Sequence, residues 1–235
     1  MIILTNDDGI DAPGLAALES AVAGEEVVVV APAGQMSECS HCVTTTKPIQ
    51  VDRLGERRFA VTGTPADCVR VALLHVLPLL KVPRKEPISV YSGINAGGNL
   101  GADVYISGTV AAVREAAFHG IRGVALSLYR REIPDATRWE AAAKWAIHVL
   151  QLLGDKTLAQ GEFWNVNFPW VADLNGESPA TVFCERSRRP LPVKYESSES
   201  GLQYVRGLYH LREYEPGSDI DNCFGGKIAI SRIAL

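Results

Sequence analysis

Short apolar strands alternate with helical segments along this chain, and the alternation constrains the fold more than any other feature. Apolar runs rich in β-branched residues predict strands at residues 2–4, 26–30, 88–91, 124–126 and 163–168. Helical patterns lie between them at residues 13–23, 64–79, 109–119 and 135–153. Such alternation is typical of a mostly parallel sheet covered by helices. We therefore predict an α/β fold.

The pattern changes after about residue 170, where short β-like pieces are separated by Pro, Gly and Ser. We predict a single domain over residues 1–235, because this length suits one large α/β unit. Its core covers about residues 1–170. A β-rich extension or oligomerisation arm covers about residues 171–235.

Two adjacent carboxylates follow the first predicted strand, in the sequence Asn6-Asp7-Asp8-Gly9. Neighbouring side chains of a strand point to opposite faces, so Asp7 and Asp8 converge only if the backbone turns, as Gly9 permits. Two close carboxylates repel each other, and a divalent ion such as Mg²⁺ or Mn²⁺ removes that repulsion. Taken alone, the tetrapeptide fits a metal site and a solvated turn equally well.

Two further loops are expected beside this pair. Ser37 follows the second predicted strand, and Asn95 follows the strand that ends at Tyr91. In a parallel sheet, the carboxyl ends of the strands lie at one edge, and ligands bind there. We therefore expect one composite site built from segments that are far apart in the sequence.

A glycine-rich loop extends over residues 92–107. Its glycines match neither the G-x-G-x-x-G dinucleotide fingerprint nor the P-loop. The loop ends in Ser107-Gly108-Thr109 at the start of a predicted helix, where backbone amides and hydroxyls form an anion site. A metal held by Asp7, Asp8 and Asn95 would lie beside this anion site. Such a pair of sites is suited to the attack of a metal-activated water on a phosphate ester.

The composition limits the possible partners and compartments. A net charge of −4 gives no sign of the broad basic surface that a nucleic-acid polymer requires. No apolar stretch approaches the length of a membrane span. The first strand begins at residue 2, which leaves no room for a signal peptide before it. We expect a cytoplasmic protein with no membrane partner. Small phosphorylated substrates remain possible, because they need only a local site.

Five cysteines, an odd number, argue against a complete disulfide framework. Cys39 and Cys42 have C-x-x-C spacing, but no second close pair completes a zinc site. The β-branched residues that follow do not favour the helix expected after a thioredoxin-like motif. Ordinary loop thiols are the favoured interpretation.

Two other features receive structural interpretations. Thr64 precedes Pro65 as a helix N-cap, and Asp67 favours the start of that helix through its charge. Arg186, Arg188, Arg189 and Lys194 form a dense basic cluster. We interpret this cluster as a solvated surface. The alternative is an arm that reaches the site of a neighbouring subunit.

Four segments, in this order and spacing, resemble the SurE family, the survival-protein-E nucleotidases. They are Leu4-Thr5-Asn6-Asp7-Asp8-Gly9-Ile10 with Ala12-Pro13-Gly14, Gly63-Thr64-Pro65-Ala66-Asp67-Cys68-Val69, the loop from Ser92 to Gly101, and Ser107-Gly108-Thr109-Val110-Ala111-Ala112. Weaker matches follow at Asn165-Val166-Asn167-Phe168-Pro169, Arg186-Ser187-Arg188-Arg189 and Ser218-Asp219.

The resemblance implies a Rossmann-like, three-layer core and a C-terminal extension used in forming a homodimer or homotetramer. It also implies a metal-dependent phosphatase that acts on nucleoside monophosphates, with one divalent cation per subunit. The metal ligands that it implies are Asp7, Asp8, Ser37 and Asn95. The family's serine lies five residues after an Ala-Pro pair, which selects Ser37 over Ser40. The substrate-binding residues that it implies are Asn99, Ser107, Gly108 and Thr109.

The chain departs from the family around Ser37. Family members usually place charged residues before this serine and small residues after it, whereas Ala33-Gly34-Gln35-Met36 precede it here and Glu38-Cys39 follow. The departure leaves the preferred substrate more open than the reaction class.

We predict a phosphatase of the 5′-nucleotidase type that hydrolyses 5′- or 3′-nucleoside monophosphates without a covalent intermediate. Asp7 and Asp8 are the catalytic residues: both bind the metal, and one of them orients or deprotonates the attacking water. One alternative is a metal-dependent nucleotide-sugar transferase. The other is a nucleotide-binding family member with little or no phosphatase activity.

Overall fold

The computed structural model describes residues 1–36, 40–83, 85–174, 177–199, 201–205 and 207–235. The strands are β1 Ile2–Thr5, β2 Val27–Pro32, β3 Val51–Arg53, β4 Arg58–Val61, β5 Ser89–Asn95, β6 Arg122–Leu128, β7 Glu162–Phe168, β8 Thr181–Phe183, β9 Tyr195–Ser198, β10 Gly201–Tyr204 and β11 Ile228–Ala234. The helices are α1 Pro13–Ala21, α2 Pro65–Val71, α3 Leu77–Leu79, α4 Gly108–Phe118, α5 Ala136–Gly154 and α6 Asp219–Phe224. A π-helical turn, Ala72–Val76, joins α2 to α3, and 3-10 helices cover Gly101–Tyr105 and Leu208–Leu211.

Within the described ranges, nine strands form one sheet in the order β3-β4-β2-β1-β5-β6-β7-β11-β8. Strand β1 pairs in parallel with both neighbours, so that Leu4 lies opposite Val29 on one side and Tyr91 on the other. Two neighbouring pairs in this sheet are antiparallel, β3 with β4 and β7 with β11, whereas β8 runs parallel to β11. The predicted α/β fold with a mostly parallel sheet is confirmed.

Helices cover both faces of this sheet. Successive side chains of a strand point to opposite faces, so the continuous apolar runs make both faces apolar. Leu4 packs in the core that α1 and α5 cover, whereas Ile3 packs in the core that α2 and α4 cover. Both side chains are fully buried. Burial on both faces explains why the strands read as continuous apolar runs. No helix in the described part of the chain is both long and apolar enough to cross a membrane.

The last strand of the segment predicted as an extension lies inside the main sheet. Strand β11 pairs antiparallel with β7, where Ile230 lies opposite Val166. Sequence periodicity gave no sign of this pairing, because the two residues are far apart in the chain. The hairpin of β9 and β10 is a separate two-stranded sheet, and it exposes Tyr195 and Leu202. The boundary near residue 170 therefore does not separate sheet from extension in space.

Glu115 of α4 is a buried carboxylate that joins two helices and a loop. Its carboxylate accepts a hydrogen bond of 2.7 Å from Nε of Arg70, and Nε2 of His41 lies 2.9 Å from its other oxygen. The ring of His119 lies 3.3 Å away. Burial raises the pKa of Glu115, but the hydrogen bonds from Arg70 and His41 outweigh it, so the pKa falls below its ordinary value of 4.5.

We expect Glu115→Gln to lower the free energy of unfolding at neutral pH by about 1–2 kcal/mol, because Arg70 loses a charged acceptor. A lowered carboxylate pKa stabilises the fold above the unfolded-state value of 4.5, and this stabilisation is lost as the pH falls through the folded-state pKa. The stability of the parent protein should therefore fall more steeply in acid than that of the variant. Urea unfolding across this pH range measures both slopes, and equal slopes would contradict the assignment.

Candidate metal and phosphate site

Asp7 lies just beyond β1 and packs against the start of α4. Its side chain is buried, and Oδ1 accepts a hydrogen bond of 2.7 Å from Oγ1 of Thr109. A β-carbon on Gly108 would lie 2.9 Å from Cβ of Asp7 and 3.0 Å from its Oδ2. Only glycine therefore lets the helix approach this carboxylate so closely.

Asp8 is half-buried and lies against the residue that follows β5. Its Oδ2 accepts a hydrogen bond of 3.1 Å from the backbone amide of Ala96. The side-chain nitrogen of the preceding residue, Asn95, donates to the carbonyl of Gly97 at 2.7 Å. This bond leaves Oδ1 of Asn95 as the side-chain atom that can bind a cation. The structure thus brings the predicted ligands Asp7, Asp8 and Asn95 to one edge of the sheet.

A turn at Gly9 redirects the chain after the two aspartates. Gly9 has a φ of +105°, and Nδ2 of Asn6 donates to its carbonyl at 2.7 Å. The loop after β2 joins this turn, because the amide of Met36 donates to the carbonyl of Asp7 at 2.8 Å. Ser37 itself lies outside the described residues, so its role as a metal ligand stays a prediction.

The electrostatics of the two aspartates favour a bound cation. Burial raises the pKa of Asp7 to about 6, and the charge of Asp8 adds to this, although the hydrogen bond from Thr109 opposes it. Burial also raises the pKa of Asp8, against the hydrogen bond from Ala96 and the charge of Arg130. A hard divalent cation would offset the free-energy cost of ionising these two carboxylates, and carboxylate and amide oxygens are among its preferred ligands. The described residues contain no cluster of three or more His, Cys, Asp or Glu side chains suited to a metal, so a site here combines two carboxylates with neutral oxygens.

The Ser107-Gly108-Thr109 segment forms the first turn of α4. Ser107 is the N-cap, and its Oγ accepts a hydrogen bond of 3.1 Å from the amide of Val110. Thr109 is fully buried and gives its hydroxyl to Asp7, so its observed contact orients a carboxylate. The phosphate-binding roles of these three residues stay predictions, supported by their place at a helix N-terminus.

Asn99 is fixed to the neighbouring strands. Its Nδ2 donates to Oγ of Ser127 at 2.8 Å, and its backbone amide donates to Oδ1 of Asn167 at 2.8 Å. Its carbonyl accepts hydrogen bonds from the side chains of Asn165 and Asn167. Asn99 therefore anchors the glycine-rich loop, and its contact with phosphate stays a prediction. The alternation Asn165-x-Asn167, which puts two amides on one face of β7, was a signal for this anchor.

Asp67 has a larger role than the helix start predicted from the sequence. The N-cap at Thr64 is confirmed, with reciprocal hydrogen bonds between Thr64 and Asp67. Asp67 also accepts from the amide and hydroxyl of Thr44, at 3.0 and 2.7 Å. It therefore anchors the far end of the loop that follows β2, a contact that local sequence patterns do not reveal.

Two sequence features lie away from these contacts. Cys42 is an exposed free thiol, whereas Cys39 lies outside the described residues. The interpretation of this pair as ordinary loop thiols therefore stays a prediction. In the basic cluster, Arg186 stacks over the ring of Tyr105 at 4.8 Å, and Nε of Arg189 lies 3.6 Å from the carboxylate of Glu215.

A family model described as survival protein SurE matches residues 2–190. The chain belongs to the SurE family. It is 51% identical to a putative 5′-nucleotidase of Nostoc sp. strain PCC 7120, over 100% of this chain and 99% of that protein. It is 35% identical to the 5′-nucleotidase SurE of Paramagnetospirillum magneticum, over 100% of this chain and 89% of that protein.

A solved structure agrees with the sequence comparisons. The crystal structure of the SurE protein from Aquifex aeolicus matches with a TM-score of 0.83 and 27% identity, over 99% of this chain and 92% of that one. The predicted family and fold are therefore confirmed, and the names of the SurE relatives agree with the predicted activity.

We expect Gly108→Ala to weaken the binding of Mn²⁺ and to slow phosphate release, because the new methyl group displaces Asp7. Alanine is the better helix former, so a loss of helix propensity does not explain such a result. Gly154→Ala is the matched control, since a β-carbon there meets nothing within 4 Å. Calorimetric titration with Mn²⁺ measures the effect, and equal affinities in the two variants would contradict the close packing of Gly108 on Asp7.

We expect Thr109→Val, which keeps the side-chain shape but removes the hydroxyl, to lower Mn²⁺ affinity or activity by about 10–100-fold. Thr109→Ser keeps the donor to Asp7 and should recover most of the loss. Metal titration and phosphate release measure both variants. Full affinity and activity in the valine variant would show that this hydrogen bond does not orient Asp7 for its role.

Proposed function

We propose that the chain is a metal-dependent 5′-nucleotidase that hydrolyses nucleoside monophosphates. The observation that carries the proposal is the position of Asp7, whose carboxylate is held by Thr109 at the N-terminus of α4 with Asp8 beside it. This contact supports a cation site and an anion site that adjoin each other. The names of relatives that align along the whole chain support the same activity.

Asp7, Asp8 and Asn95 would hold one divalent cation, Mg²⁺ or Mn²⁺, with Ser37 as the fourth protein ligand. When bound, such an ion polarises a phosphoryl oxygen and lowers the pKa of a bound water. Thr109 keeps Asp7 oriented, and Ala96 keeps Asp8 oriented. One of the two carboxylates accepts the proton of the attacking water.

The first turn of α4 would bind the transferring phosphoryl group. Its backbone amides and the hydroxyl of Ser107 are suited to an anion, and the positive end of the helix dipole adds to the attraction. Phosphoryl transfer depends mainly on positioning and on charge neutralisation, and a rigid helix start supplies both.

Assembly into a homodimer or homotetramer through the C-terminal extension is part of this proposal. The β9–β10 hairpin lies outside the main sheet and leaves Leu202 72% exposed and Tyr195 54% exposed. Exposed apolar side chains of this kind are suited to contact with another subunit.

We expect Asp8→Asn to abolish phosphate release from AMP in the presence of Mn²⁺, because the variant loses one of the two negative charges offered to the cation and the amide does not accept a proton. The matched control is Asp11→Asn, which removes an exposed carboxylate of the same loop. A colorimetric phosphate assay measures activity, and the rise in melting temperature with Mn²⁺ measures metal binding independently.

Full activity of the Asp8 variant, with the fold intact, would contradict the site. Stabilisation of the parent protein by Mn²⁺ without phosphate release from any nucleoside monophosphate would favour a nucleotide-binding protein without turnover. Turnover of sugar nucleotides instead of AMP would favour the transferase.

A further inference from the structure

Arg130 is an exposed cation at the edge of the sheet where the candidate site lies. It follows β6, whose Ser127 lies opposite Asn95 in the parallel pairing with β5. The chain stays extended past the end of β6, because the amide of Tyr129 donates to the carbonyl of Phe168 at 2.9 Å. The next residue, Arg130, therefore projects from this edge of the sheet.

Within the described ranges, the guanidinium of Arg130 makes no hydrogen bond or ion pair. Strand β6, which Arg130 follows, lies directly beside β5, and β5 ends at the predicted metal ligand Asn95. Arg130 thus lies at the same edge of the sheet as the predicted metal ligands without being paired to them.

Other arginines near this edge are already engaged. Arg131 bonds to the side chain of Tyr129. Arg138 donates to the carbonyl of Val171 at 2.8 Å and stacks 3.5 Å above the ring of Trp170. Their contacts make Arg130 the arginine of this group that is available to a ligand.

A phosphate monoester dianion that approaches Asp7 and Asp8 meets two carboxylates. A guanidinium is the natural complement, because its planar set of donors matches the oxygens of phosphate and stays charged at all relevant pH values. We propose that Arg130 binds the phosphate of the nucleoside monophosphate from the β6 side of the site. The inference rests on the proposed function and adds to it a substrate-binding residue.

The test compares Arg130→Ala with Arg130→Lys and with the neighbouring control Arg131→Ala. For the alanine variant of Arg130, we expect the KM for AMP and the inhibition constant of inorganic phosphate to rise by about tenfold or more. The lysine variant should recover part of this loss because it keeps the charge, and the Arg131 control should stay near the parent values. Inhibition by adenosine, which has no phosphate, should not change.

Metal binding separates a substrate contact from a structural role. Removal of a positive charge near Asp8 should leave Mn²⁺ affinity unchanged or higher, whereas a disturbed site would bind Mn²⁺ more weakly. Unchanged KM and inhibition constants, or a parallel loss of Mn²⁺ affinity, would overturn the inference.

If the parent protein releases no phosphate from AMP, the proposed function fails, and Arg130 is then tested by titrating inorganic phosphate calorimetrically in the presence of Mn²⁺. Loss of phosphate binding in the alanine variant supports the contact. Equal binding, or an absence of binding by the parent protein, overturns it.

Discussion

The contact between Asp7 and the start of α4 is the interaction on which the rest of the site depends. It joins the end of β1 to a helix more than a hundred residues later, through the hydroxyl of Thr109 and the close approach of Gly108. The same packing buries the carboxylate and raises its pKa to about 6. An ionised aspartate in this place is costly beside Asp8 unless a cation is bound. A cation bound at this residue would stabilise the folded state, so the proposed metal site would link metal binding to stability.

The glycine-rich loop is held in place by the C-terminal part of the chain. Asp103 forms a bidentate ion pair with the buried Arg212, at 2.8 and 3.0 Å. The hydroxyl of Tyr209 donates to the carbonyl of Gly98 at 3.0 Å. A loop rich in glycine has high conformational freedom, so these contacts and those of Asn99 reduce the entropy that ligand binding would otherwise cost. The segment after β7 therefore supports the site as well as carrying an exposed hairpin.

Local patterns in the sequence were sufficient for the features that depend on neighbouring residues. The alternation of strands and helices gave the α/β fold, and the order of the strands placed Asp7, Asp8 and Asn95 at one edge. The cap at Thr64 follows from the proline after it. Contacts between distant segments left no such signal: Thr109 and Asp7 are 102 positions apart, and Asn99 and Asn167 are 68 positions apart. The sequence therefore predicted that Asp7, Asp8 and Asn95 share one edge of the sheet, but not the contacts that orient Asp7 and Asn99.

The charges of the site lead to a requirement for a further cation. In the proposed site, the ionised Asp7 and Asp8 would formally cancel the charge of one divalent ion, so a phosphate dianion would gain little from the net charge of that assembly. The chain as a whole is also negative, with a net charge of −4. Attraction for the substrate must then come from local dipoles and from a nearby cation. The N-terminus of α4 supplies the dipole, and Arg130 is an exposed cation whose charge reaches Asp8. Because a neutral nucleoside gains nothing from this cation, the proposed contact with Arg130 would favour the phosphorylated substrate over its dephosphorylated product.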